Sequence, residues 1–308
     1  MIEKDYAGWK KWTPTDTEWV DFLAEKKTPF ELLLNEYLLI YDEEGKLLSQ
    51  WVMKSDGLKK IGRSTIKLER EEEKISTNSA DNPDKKGRKK SEVYNPRNDE
   101  QICAFDMVKD PDTTVKVITG KWGTGKTMIL VAAALEALKA KKFERIIWIR
   151  NNVDVKDTKD LGALPGEILD KLLPYLGPFI DHCGTNKVKT MLNKGSLVVE
   201  PLQSLRGRNF KNSLIMCSEA ENLTKEHIQL IIARAADGSE VWFDADNRQR
   251  DRIAFEKSRG VEALIECLTG DPLFGYVHLI KSERSATASL ADKLDAYTPL
   301  SKIYNEQK

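Results

Sequence analysis

The stretch Gly120-Lys-Trp-Gly-Thr-Gly-Lys126-Thr127 constrains what this chain can fold into more than any other. It follows a short β-branched run, residues 114–119, and opens an apolar, alanine-rich segment, residues 128–138. A strand, a glycine-rich turn and a helix in that order give a G-x-x-x-x-G-K-[ST] match its mechanism. The glycines let backbone N–H groups converge on phosphate oxygens, and the helix N-terminus adds the positive end of its dipole. The expected phosphate contacts are Gly120, Gly123, Thr124, Gly125, Lys126, Thr127 and Met128. Lys126 is expected to reach the β- and γ-phosphates, and Thr127 to place its hydroxyl on Mg²⁺. The pattern predicts a site for a nucleoside triphosphate.

With 40% hydrophobic and 32% charged residues, the 308-residue chain can bury a substantial core and reads as a soluble protein. Lys+Arg and Asp+Glu balance at 49 each, so no global basic field marks a nucleic-acid binder, and any such site has to be local. Cys103, Cys183, Cys217 and Cys267 are scattered, without a C-x-x-C pair, and read as reduced core thiols. The first residues hold no apolar signal segment and no run of 18 apolar residues occurs, so the expectation is a cytoplasmic protein with no membrane partner.

Three regions are expected. Residues 1–68 read as a small α+β unit: helical spacing at 17–24, then a hairpin of residues 36–41 and 47–53 around Asp42-Glu-Glu-Gly45. Residues 69–93 are so rich in charge that they read as a flexible linker, with a basic cluster at 85–90. Residues 94–308 alternate strands and helices. Apolar runs at 143–150, 196–201, 213–217 and 241–244 are of buried-strand type. A helix starts at Thr224, and residues 166–180 read as helical but interrupted by Pro174 and Pro178. The fold class is therefore α/β: a mostly parallel sheet covered on both faces, with ligands beyond the carboxyl ends of its strands. Glu219 follows the apolar run 213–217, where it can polarise a water for phosphoryl transfer.

The strand ending Ser218-Glu219-Ala-Glu221-Asn222 resembles the Asp-Glu-Ala-Gln-Asn motif of the PhoH-like ATPases, which are related to superfamily 1 helicases. Other segments resemble that family in the same order: Pro96-Arg97-Asn98-Asp-Glu100-Gln101, Leu161-Gly-Ala-Leu-Pro-Gly166, Arg206-Gly-Arg208-Asn-Phe210, Asp246-Asn-Arg-Gln249-Arg-Asp251 and Glu283-Arg284-Ser285. The similarity runs over residues 94–293, and residues 29–53 resemble the small unit before the ATPase in the longer branch of the family. It implies a three-layer P-loop fold that binds ATP with Mg²⁺. It also implies roles: Gln101 reads adenine, Asp246 and Gln249 sit near the γ-phosphate and its water, and Arg284 supplies a cation from the same or a neighbouring subunit. Arg208 and Arg234 are further candidates for that cation.

Two departures carry consequences. The aspartate that the family sets at the metal stands as Ser218, and its glutamine as Glu221, so weaker Mg²⁺ binding and slow hydrolysis are expected unless Glu221 or Asp246 restores the charge. The longer branch usually begins with a PIN nuclease domain, which residues 1–28 are too short to hold, so nuclease activity is not expected. The resemblance implies RNA or single-stranded nucleic acid as partner, and a homo-oligomer of the hexameric-ring type, with Lys156, Lys159, Lys187, Lys189 and Lys194 as candidate channel residues. Three readings stay open: an ATP-driven helicase-like enzyme, a nucleotide-gated binding module with little hydrolysis, and a small-molecule kinase.

Overall fold

Neighbouring residues of the apolar runs are buried on opposite faces of one sheet, which is why the runs are continuous rather than alternating. In the computed structural model, which describes residues 6–71, 89–150, 172–246, 259–285 and 287–290, this sheet has six parallel strands. They are β7 (Val115–Gly120), β8 (Arg145–Arg150), β9 (Leu197–Pro201), β10 (Ser213–Cys217), β11 (Glu240–Ala245) and β12 (Phe274–Leu279), in the spatial order β12-β7-β11-β10-β8-β9. Ile118, Ile146, Trp148, Leu214 and Trp242 face α2 (Asp99–Lys109) and α3 (Lys126–Lys139). Their neighbours Val117, Ile147, Ile215, Val241 and Phe243 face the opposite layer, α6 (Lys225–Ile232) and α7 (Gly260–Leu268). The three-layer α/β P-loop fold expected from the sequence is what forms.

Strand β12 is absent from the sequence reading. Gly275 and His278 interrupt its apolar run, but Gly275 has a packing reason: a Cβ there would lie 2.9 Å from Met107 Cγ of α2. Residues 172–183 form two short helices rather than one, a 3₁₀ turn Leu173–Leu176 and α4 (Gly177–Cys183). Pro174 and Pro178 each stand in a first turn, where a missing N–H costs nothing. The Leu161–Gly166 segment lies outside the described residues. Of the four cysteines, Cys267 is exposed, so the expectation of four core thiols holds for three.

The N-terminal unit is a four-stranded sheet in the order β1 (Trp9–Trp12), β2 (Tyr37–Tyr41), β3 (Leu47–Lys54), β4 (Gly57–Lys60), with α1 (Asp16–Glu25) beside it. The expected hairpin is β2–β3; its turn is closed by Lys46 N–H donating to Asp42 Oδ1 at 2.7 Å. Thr15 and Glu18 cap α1 reciprocally. The unit does not stand apart from the six-stranded sheet. Trp9 Nε1 donates to the His278 carbonyl at 2.9 Å, and Asn35 Nδ2 donates to the Phe274 carbonyl at 2.9 Å. Both ends of the stretch expected as a linker are strand: β5 (Ile66–Glu71) pairs antiparallel with β6 (Lys89–Tyr94). Ile66 and Leu68 are buried two residues apart, an alternation that the high charge content of this stretch obscures. Residues 72–88, with most of the basic cluster, lie outside the described residues.

Candidate active site

The phosphate loop leaves β7 and re-enters as α3, and its glycines take conformations that a side chain resists. Gly123 has φ +74° and Gly125 φ +91°, and a Cβ at Gly123 would collide with Arg284. Gly120 and Thr124 lie behind the loop: Gly120 abuts the Leu279 carbonyl, and the buried Thr124 hydroxyl donates to the Lys121 carbonyl at 2.8 Å. Gly123, Gly125, Lys126, Thr127 and Met128 border a cleft of about 540 Å³. Its far side is made by Ser218, Glu219 and Glu221 after β10 and by Asp244 and Asp246 at the end of β11.

Parallel strands bring these carboxylates together because all their carboxyl ends lie at one edge. Lys126 Nζ donates to the Lys121 carbonyl at 3.1 Å and stands 3.9 Å from Asp246 Oδ2. Glu221 Oε2 accepts from the Asp246 N–H at 3.0 Å; burial pushes its carboxyl up to about 7, against the pull of that hydrogen bond. Asp244 is 3% exposed. Its Oδ1 accepts from Ser218 Oγ and from the Glu219 N–H, each at 3.0 Å, and Thr127 lines the same cleft. Burial raises the Asp244 pKa, while the Glu219 N–H, Lys126, Thr127 and Ser218 oppose the rise.

Glu219 is exposed to the cleft and has φ 58°, ψ 42°, the left-handed region that non-glycine residues rarely enter. That conformation aims its N–H at Asp244 and its side chain at the loop's side of the sheet edge. Segments far apart in sequence clamp the loop from behind. Glu100 Oε2 accepts from the N–H groups of Ile280 and Lys281 at 2.7 and 3.0 Å, Asn98 Nδ2 donates to Glu283 Oε1 at 2.9 Å, and the Glu283 N–H donates to the Gly123 carbonyl at 2.9 Å. Arg284 of the same chain therefore lies against Gly123, its guanidinium 5.3 Å from the Trp122 ring centroid. Gln101 is buried; its Nε2 donates to the Thr124 carbonyl and its Oε1 accepts from the Arg97 N–H, both at 2.9 Å. A carboxamide retains a second N–H and a second lone pair beyond these.

Gln249 and Asp251 lie outside the described residues, as do Lys156 and Lys159. Arg208 pairs with Glu200 at 3.0 Å and Arg234 donates to the Arg208 carbonyl at 3.1 Å; neither these two nor Arg284 lines the cleft itself, but Arg284 abuts Gly123 of the loop that does. Lys187 and Lys189 are on α5 (Thr185–Asn193), and Lys194 caps it. Sequence reasoning missed Asp244 and the wall formed by Pro178, Asp181 and His182 of α4. The signal for Asp244 was present, since an acidic residue ending a buried apolar strand is what singled out Glu219. No such signal marked His182, whose Nδ1 is 2.9 Å from Tyr94 Oη.

Among the described residues no three His, Cys, Asp or Glu side chains converge as a metal cage. Mg²⁺ at a nucleotide seldom uses one; it takes one or two protein groups together with phosphate oxygens and water. The Thr127 hydroxyl beside a buried carboxylate fits that donor set.

Residues 93–297 match the family model described as PhoH-like protein. The chain is 32% identical over 202 residues to Protein PhoH2 of Thermobispora bispora, covering 64% of this chain and 46% of that protein. It is 32% identical over 209 residues to Protein PhoH2 of Bacillus subtilis, covering 65% and 47%. It is 31% identical over 186 residues to Protein PhoH of Escherichia coli K12, covering 58% and 52%. The chain thus spans about half the length of these relatives. With the family model covering the phosphate loop, the β10 and β11 ends and Arg284, this chain belongs to the PhoH-like family of P-loop nucleotide-binding proteins.

Proposed function

We propose that this protein hydrolyses ATP with Mg²⁺ and uses the cycle to unwind or remodel RNA or single-stranded nucleic acid. The observation that carries hydrolysis is Glu219: an exposed carboxylate at the end of β10 that borders the same cleft as Lys126 and Thr127. A phosphoryl-transfer site needs a group to orient water and cations to meet developing charge. Glu219 takes the first role; Lys126 and Arg284 take the second. Gln101, against the loop, reads the adenine edge with its remaining donor and acceptor. Asp246, 3.9 Å from Lys126, senses the γ-phosphate together with Gln249. The divalent cation, when bound, neutralises charge shared by the β- and γ-phosphates.

The nucleic-acid step rests on the family resemblance and on helix α5, whose Lys187 and Lys189 offer cations to a phosphate backbone. A ring of copies would line a channel with such residues although the chain is neutral overall. None of the described helices is long and apolar enough to cross a membrane. Ser218 favours a second reading, a nucleotide-gated binder that scarcely turns over. Steady-state turnover with and without single-stranded RNA, together with displacement of a labelled strand, decides between them. RNA-stimulated hydrolysis supports the proposal, whereas tight ATP binding without turnover, with or without RNA, would establish the gated binder.

A further inference from the structure

The metal-site carboxylate missing from β10 has a replacement on the next strand. We propose that Asp244, not any residue after β10, carries the negative charge that holds the divalent cation of the nucleotide, and that Ser218 positions it. This rests on the reading of the cleft as an ATP site. Strands β10 and β11 are adjacent and parallel with Cys217 opposite Phe243, so the next residues on each, Ser218 and Asp244, stand side by side. Strand β11 also pairs with β7, placing Asp244 opposite Ile118, two residues before the phosphate loop begins at Gly120. A carboxylate on β11 therefore starts one strand spacing, about 4.8 Å, nearer the loop than one on β10.

Two donors converge on this one side chain. Ser218 Oγ and the Glu219 N–H both reach Oδ1 at 3.0 Å, and Thr127 lies near enough to favour the ionised carboxylate. Hydrogen bonds of this kind favour the ionised form, which a buried carboxylate otherwise resists. Thr127 is the hydroxyl that a phosphate loop offers to the cation, and it lines the same cleft as Asp244, so both protein groups can reach one cation. The competing carboxylates are engaged elsewhere. Glu221 accepts from the Asp246 N–H, and Asp246 faces Lys126 at 3.9 Å. The pair Ser218 and Asp244 thus keeps one negative charge at the site, with the carboxylate on β11 and the hydroxyl after β10. An aspartate added at position 218 would set a second carboxylate against the first, where like charges oppose joint ionisation.

The test reads metal rather than turnover. Mn²⁺ binding to the complex with AMP-PNP is followed by the EPR signal of free Mn²⁺, and AMP-PNP binding in EDTA reports an intact fold and loop. The wild type, Asp244→Asn, Asp244→Ser, Glu221→Gln and the exchange Ser218→Asp/Asp244→Ser are compared. Loss of a carboxylate that orients a metal's surroundings costs about 10–100-fold in affinity. That loss is expected for Asp244→Asn with AMP-PNP binding in EDTA retained; Asp244→Ser takes its place should the asparagine variant not fold. Glu221→Gln is expected to stay within about twofold of the wild type, well short of that loss. The exchange is expected to recover most of the Mn²⁺ affinity. Unchanged Mn²⁺ affinity in the Asp244 variants, a full loss in Glu221→Gln, or an exchange as weak as Asp244→Ser would each overturn the inference. Failure of wild-type protein to bind AMP-PNP, in EDTA or with Mn²⁺, would overturn the ATP-site reading itself and this inference with it.

Discussion

Replacing Glu219 separates the chemistry of this site from the backbone that holds it. At φ 58° and ψ 42° the residue occupies the left-handed region, which costs an L-residue roughly 1–2 kcal/mol. Glycine removes that cost but adds roughly 0.5–1 kcal/mol of unfolded-state entropy. Glu219→Gly is therefore expected to leave stability unchanged or raise it by about 1 kcal/mol, because the N–H that donates to Asp244 is backbone and survives. Glu219→Gln keeps the shape and removes the carboxylate to which we assign the water. Its stability is expected to match the wild type within about 0.5 kcal/mol, and AMP-PNP binding is expected to be preserved. Turnover in both variants should fall by about 10²–10⁴, the usual contribution of a positioned base. Urea unfolding, AMP-PNP titration and steady-state hydrolysis measure the three quantities on the same preparations. Marked destabilisation of Glu219→Gly would refute the conformational argument, and normal turnover in Glu219→Gln would refute the catalytic one.

Further predictions concern the scaffold. Lys116 is fully buried, with Nζ 2.9 Å from Glu240 Oε2 and 2.7 Å from the Asp110 carbonyl. Glu240→Gln therefore leaves the ammonium with neutral partners only and should destabilise the fold by urea denaturation at pH 7, by less than the ~3–5 kcal/mol of a wholly unpaired buried charge. Burial lowers the Lys116 pKa to about 8 from 10.5, despite Glu240. Between those values the unfolded chain holds the extra proton, so this group's contribution to stability rises with pH. The rise should be visible between pH 8 and 9.5 as a difference from Lys116→Met, and a slope unaffected by that change would contradict it. Asn35 binds the carbonyls of Pro272 and Phe274 from a left-handed backbone (φ 62°). Asn35→Gly keeps the backbone and loses those bonds; it should loosen the N-terminal unit, read as faster proteolysis between residues 6 and 60 while nucleotide binding persists. Arg284→Ala should reduce turnover by about 10³ or more, the scale set by a cation on the transferred phosphoryl group, with a much smaller effect on AMP-PNP affinity.

Much of the sheet was legible because buried parallel strands leave continuous apolar runs, and the runs ending at Cys217 and Asp244 flag the edge where carboxylates gather. The phosphate loop was legible because its glycines answer a backbone demand that no other residue meets. Strand β12 was not, since Gly275 is dictated by the approach of Met107 from α2, a contact no local pattern carries. The β5–β6 pair was hidden by its charge: Ile66 and Leu68 provide the buried alternation, but the surrounding lysines, arginines and glutamates dominate the composition. Ser218 was visible as a departure, yet its meaning was not. The lateral pairing of β10 with β11 sets Asp244 beside it, and strand order is a property of the fold rather than of either segment. The same holds for Arg284, which reaches Gly123 only because Glu100 and Asn98 hold the segment after β12 in place.

The central claim is that the cleft between the phosphate loop and Glu219 turns over ATP. The most direct measurement is phosphate release from ATP by the wild type and by Lys126→Ala, each with Mg²⁺ and with EDTA. The account predicts Mg²⁺-dependent release by the wild type that EDTA abolishes and that Lys126→Ala reduces to background. Release that persists in Lys126→Ala, or that ignores Mg²⁺, would contradict it.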